Sequence, residues 1–172
     1  MKAVLAHGQE RGENYRIRWD VAKLGEARVV SDAVPFRAPL LAGGEIEFRP
    51  RQGRPAVVVF WASWCKPCID EAPHLERLYK QRGTEVEFIS VSIDEASQID
   101  DLRRVVESLK ISYPVALDPG GQSVLPKYAH GVGIPLTFVV GTDGTIRYTQ
   151  RNYQPGDEQT LARAIEELSS GR

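Results

Sequence analysis

Cys65 and Cys68 are the only cysteines in a chain of 172 residues, and they stand three positions apart as Cys-Lys-Pro-Cys. Thiols at this spacing can exchange with a disulfide or share a metal ion. As a structural staple they would do little, because a crosslink closing so short a loop removes little entropy from the unfolded chain. Structural zinc needs four ligands, and the three histidines, His7, His74 and His130, offer no second ligand pair. Dithiol redox chemistry is the expectation, with no metal and no cofactor beyond a redox-active Cys65–Cys68 disulfide.

That chemistry depends on the elements around the pair. Residues 56–61 (Ala-Val-Val-Val-Phe-Trp) run without a polar break after Gly53-Arg54-Pro55, the pattern of a strand buried on both faces. From Pro67 onward Ile69, Ala72, Leu75, Leu78 and Tyr79 recur at three or four residues, which predicts an amphipathic helix ending near Gly83 and kinked at Pro73. Strand, dithiol, helix puts Cys65 at a helix N-terminus, where unpaired N–H groups and the macrodipole favour a thiolate. Lys66 adds positive charge, and Pro67 sits where its missing donor costs nothing. Cys65 is the candidate attacking thiol and Cys68 the resolving one.

Further along, residues 86–93 alternate as a second parallel strand with Asp94 and Glu95 at its carboxyl end, where a capping or solvated role is the default. Ile99, Leu102, Val105, Val106 and Leu109 predict a second helix with Ser97 as its N-cap. Residues 114–118 read as a short strand and 122–129 as a short helix interrupted by Pro126. Residues 136–140 and 145–148 flank a four-residue turn as a hairpin, and Leu161, Ala164, Ile165 and Leu168 mark a last helix. Ahead of the dithiol, residues 34–41 and 45–48 form a second hairpin around Gly43-Gly44, its first strand confined to an edge by Pro35 and Pro39. Up to Val30 the chain is weakly patterned, with 14–19 its only alternating stretch. The order implies an α/β fold with a mixed central sheet flanked by helices.

Bulk charge excludes some functions. Lysine plus arginine (22) nearly balances aspartate plus glutamate (23), so nothing points to nucleic acid or an anionic membrane. Hydrophobic residues at 42% and charged residues at 26% fit one globular domain, expected to be a monomer. The apolar run before His7 is too short for the core of an export signal, and no run reaches membrane-spanning length. The expected location is periplasmic or otherwise extracytoplasmic if an export signal has been removed, and cytoplasmic otherwise.

Residues 59–73 (Val-Phe-Trp-Ala-Ser-Trp-Cys-Lys-Pro-Cys-Ile-Asp-Glu-Ala-Pro) resemble the active-site signature of thioredoxin-like proteins, and among them the TlpA-like thiol–disulfide oxidoreductases. The likeness extends to Ala33-Val34-Pro35-Phe36, Gly133-Ile134-Pro135, Asp143-Gly144 and residues 153–158 (Tyr-Gln-Pro-Gly-Asp-Glu). It implies a thioredoxin fold with an added N-terminal β-hairpin over residues 33–172, preceded by an arm or edge strand at 1–32. The activity it implies is reduction of disulfides in partner proteins, such as cytochrome c haem-attachment cysteines or copper-delivery proteins, with electrons from a redox partner. A thiol-dependent peroxidase and a copper- or partner-binding module are the alternatives; the peroxidatic motif, however, needs a threonine and a proline that are not found ahead of Cys65.

The resemblance also assigns residues. Ordinary thioredoxins bury an aspartate where this chain has Val59, whereas TlpA-like proteins carry a glutamate at the position of Glu71. Three residues beyond Cys68 on a helix is the same face, so Glu71 is the expected proton acceptor for resolution. Pro135 matches a loop proline that is cis in the family, and Ile134 before it would offer its backbone to an extended substrate. Trp64 is expected at an exposed substrate-contacting lip and Trp61 in the core. Leu136 and Tyr128 depart from the family pattern around this loop. His74 is expected on the solvated surface, and His130 lies near the proline loop.

Overall fold

The structure, a computed structural model, describes residues 5–10, 13–19, 27–30, 32–50, 53–129 and 133–169. Strands β1 (Leu5–Glu10), β2 (Glu13–Trp19) and β3 (Ala27–Val30) form an antiparallel sheet in that order, and the alternating stretch at 14–19 is its middle strand. A hairpin follows, β4 (Phe36–Pro39) paired with β5 (Glu45–Phe48). Gly43 and Gly44 in its turn hold φ of 96° and 80°, a left-handed region that side chains avoid.

The remaining elements are β6 (Ala56–Trp61), α1 (Lys66–Arg82), β7 (Glu87–Ser92), α2 (Ile99–Ser108), β8 (Val115–Leu117), β9 (Leu136–Val140), β10 (Ile146–Arg151) and α3 (Asp157–Ser169). They build a mixed five-stranded sheet in the order β10-β9-β6-β7-β8. β6 runs parallel to β7 and antiparallel to β9, so it is central, as its unbroken apolar sequence requires. Val58 and Phe60 face a cluster with Phe36, Phe48 and Phe138. Val57 and Val59 face the other way, against Leu75 of α1 and Leu161 and Ile165 of α3. Each such buried side chain contributes about 1.5–3 kcal/mol, which makes β6 a firm base for whatever follows it. Tyr128 donates its hydroxyl to the Val34 carbonyl at 2.6 Å and packs its ring near Phe36, Phe60 and Phe138, so it ties the hairpin to the sheet. This is the thioredoxin fold with its added hairpin.

Several local expectations shift. Ser97 is not the cap of α2: it lies in a 3₁₀ turn at Ala96–Gln98, secured by a reciprocal capping box in which the Glu95 N–H donates to Gln98 Oε1 at 2.9 Å. The helix at 122–129 shrinks to a 3₁₀ turn at Leu125–Lys127. Buried Asp118 accepts the N–H groups of Ser123, Val124 and Leu125 at 2.8–2.9 Å and so sets the backbone there, and Pro126 removes a further donor. The final strand runs on to Arg151, because Gln150 and Arg151 pair with Thr137 and Leu136 of β9. α1 begins and ends where its periodicity places it, with Pro73 inside.

Candidate active site

At the end of β6 the chain turns through Ala62, Ser63 and Trp64 into α1. Asp94 holds this turn: it accepts the Ser63 N–H at 3.0 Å, the Ser63 hydroxyl at 2.5 Å and the Ser92 hydroxyl at 2.7 Å. It is buried rather than solvated, at 1% exposure. A carboxylate with three donors can sit there without the penalty of an unpaired charge. The turn delivers Cys65 as the N-cap of α1, with the Cys68 N–H directed at its sulfur at 3.3 Å. The two sulfurs are bonded to one another across a Cα separation of 5.2 Å.

Cys65 is 6% exposed and Cys68 2%, so the outer sulfur is Cys65. Its Sγ lies 3.8 Å from the Ile134 carbonyl oxygen, and the Ile134–Pro135 peptide is cis. This places the Ile134 carbonyl beside the cysteine pair, while the Pro135 carbonyl accepts the Asn152 N–H at 2.8 Å. Trp64, at 58% exposure, is the one large apolar side chain standing out among the described residues, whereas Trp61 is in the core. Lys66 pairs with Asp70 one turn on, which balances its charge within the helix, and Pro67 occupies the first turn.

Glu71 lies in the same helix as both cysteines and is 2% exposed. Its Oε1 accepts from Gln150 Nε2 at 2.8 Å and Thr137 Oγ1 at 3.2 Å, while its Oε2 is buried without a partner. Burial pushes the carboxyl up to about 7, against the two hydrogen bonds that lower it and with the help of the Asp157 charge. Register explains how these groups meet. Thr137 of β9 stands opposite Val59 on one side and Gln150 on the other, a row across three strands that faces α1. The acid comes to that row from the helix, beside the strand position where ordinary thioredoxins place their own.

Sequence reasoning did not identify Thr137, Gln150 or the Asp94 clamp. Alternation along β10 could not have placed Gln150, because a bulge between Ile146 and Tyr148 puts Ile146 on one face of the sheet and Tyr148 and Gln150 on the other. His74 is half-buried rather than on open surface: its ring packs tilted against Tyr153 with centroids 5.9 Å apart, and both line a cavity of about 290 Å³ with Pro67, Asp70, Pro155 and Glu158. His130 lies outside the described residues.

A buried dithiol at this corner of this sheet defines a thiol–disulfide oxidoreductase of the thioredoxin superfamily, acting on protein disulfides. The chain belongs to the AhpC/TSA family, which matches residues 29–149. It is 30% identical over 128 residues to the thiol-disulfide oxidoreductase ResA of Bacillus cereus, covering 73% of this chain and 70% of that one. To the sporulation thiol-disulfide oxidoreductase A of Bacillus subtilis it is 28% identical over 129 residues, covering 73% and 76%. The solved structure of a secreted Mycobacterium tuberculosis disulfide oxidoreductase homologous to E. coli DsbE shares the fold, with a TM-score of 0.67 at 23% identity over 77% of this chain and 96% of that one.

Proposed function

We propose that the protein reduces disulfides in extracytoplasmic partner proteins, with Cys65 attacking, Cys68 resolving and Glu71 moving the proton between them. The observation that supports this most is the placement of a buried carboxyl, poised near neutrality, on the helix that starts with the dithiol. In the reaction the Cys65 thiolate attacks one sulfur of a substrate disulfide and displaces the other as a thiolate, which takes a proton. Glu71 then takes the Cys68 proton, and the Cys68 sulfur attacks Cys65 and releases the second substrate sulfur. The products are a substrate dithiol and the Cys65–Cys68 disulfide, which a dithiol donor protein must reduce again.

Ile134 and Pro135 form the backbone edge against which an extended substrate segment lies, and Trp64 is the lip beside it. The substrate class is a protein with a solvent-reachable disulfide; the haem-attachment cysteines of c-type cytochromes in the periplasm are of this kind. The secreted relative of similar fold supports the extracytoplasmic site. No helix among the described residues is long and apolar enough to cross a membrane.

Two measurements test the reading. Cys68→Ser should accumulate mixed disulfides through Cys65, which mass spectrometry of a reduced and re-exposed sample identifies; no protein adduct at all would count against a protein substrate. Equilibration with glutathione should give a reducing potential, nearer the about −270 mV of thioredoxin than the about −120 mV of the strongest oxidant of this fold. A value near the latter would reverse the assigned direction of electron flow.

A further inference from the structure

Glu71 takes both of its hydrogen bonds on one oxygen, and this asymmetry has a source in the sheet. Gln150 reaches Glu71 from β10, and its own amide oxygen accepts the Tyr148 hydroxyl at 3.3 Å. An ionised carboxylate only accepts, so Glu71 takes the NH₂ end of the amide, and the Tyr148 hydroxyl donates to the carbonyl end, a second hold on that orientation. Tyr148 and Gln150 are two apart on one strand and share its inward side. We infer that Gln150, oriented by Tyr148, is a positioning residue that holds the Glu71 carboxylate by Oε1 and leaves Oε2 as the oxygen that gains and loses the proton.

The chemistry supports that division. An NH₂ group donates and cannot accept, so Glu71 Oε1 opposite Gln150 is held as an acceptor in both protonation states. The proton of the neutral acid then belongs on Oε2, which is buried and has no other partner. A hydrogen bond to a charged acceptor favours the charged form, so Gln150 also lowers the proton affinity of Glu71 and opposes the effect of burial. The other titratable groups that feel Glu71 are Tyr113 ahead of β8, Tyr148 on β10, Tyr153 ahead of α3 and Asp157 at its start; all are acids. None supplies positive charge, which leaves the neutral donors Gln150 and Thr137 to stabilise the carboxylate.

This inference rests on the acid–base role proposed for Glu71, and the test separates the two. Gln150→Met keeps the length and removes the donor; Tyr148→Phe keeps the ring and frees the amide to turn. Isotope-edited NMR of the Glu71 carboxyl carbon in the oxidised protein follows its titration without any turnover. Gln150→Met is expected to raise the Glu71 midpoint by about one pH unit, a tenfold rise in proton affinity, and Tyr148→Phe to raise it by less in the same direction. The pH profile of mixed-disulfide resolution should move with it, and adding Gln150→Met to Glu71→Gln should leave that profile where Glu71→Gln alone puts it. A folded Gln150→Met with an unmoved Glu71 midpoint overturns the inference. If that variant does not fold, an unmoved midpoint in Tyr148→Phe does the same. A midpoint that moves while the resolution profile stays fixed supports the contact and removes Glu71 from the proton transfer.

Discussion

Glu71→Gln is expected to slow resolution of the mixed disulfide about 100-fold at pH 7 while leaving the first attack by Cys65 within a few-fold of the parent rate. The first figure is the low end of what a positioned proton acceptor contributes. Cys68 is 2% exposed, so bulk water is poorly placed to take its proton once Glu71 cannot. Cys65 owes its reactivity to the start of α1 instead, where the free N–H groups and the dipole favour a thiolate regardless of residue 71. Quenched-flow sampling with acid trapping resolves the two steps, since mixed disulfide should build up in the variant and not in the parent. Equal resolution rates and equal pH profiles in the two proteins would take Glu71 out of the mechanism.

The same substitution should make the protein more stable above neutrality. The carboxyl titrates near 4.5 when unfolded and about 7 when folded, so the native state holds this proton more tightly. Stability from this group is therefore complete below pH 4.5 and is lost as the pH rises through 7, because the folded state must then bury a charge. The span corresponds to about 3 kcal/mol. Urea midpoints of the oxidised parent should fall from pH 5 to pH 8, whereas Glu71→Gln, with its neutral amide, should lack that component. The two proteins should be close at pH 5 and the variant the more stable at pH 8. Parallel curves across this range would mean that the acid titrates in the folded protein much as it does in the open chain. An active-site group that is held at a cost to stability is a common compromise between activity and folding.

Much of this site could be read along the chain because its main parts are local. Cys65, Cys68 and Glu71 lie within seven residues on one helix, and helical spacing alone puts Glu71 on the face of Cys68. The apolar run of β6 and the periodicity of α1 are strong signals that nearby residues do not contradict. Thr137 and Gln150 were hidden for the opposite reason: they reach Glu71 only through the antiparallel pairing of β6, β9 and β10, which joins residues 66 and 79 positions away. Asp94 reads as a capping or solvated residue because a carboxylate at a strand end usually is one, whereas two of its three donors come from Ser63, 31 residues earlier, and the third from Ser92. Ser97 looked like a cap by type, yet Glu95 and Gln98 offered a reciprocal pair that captured the backbone first.

Glu71 rides on the helix that carries the sulfurs, while its hydrogen-bond partners belong to the sheet. Cys65, Cys68 and Glu71 thus share one frame, and the Thr137 and Gln150 contacts reach from that frame to the sheet. A displacement of α1 against β9 and β10 would act on the Glu71 carboxylate through those two contacts.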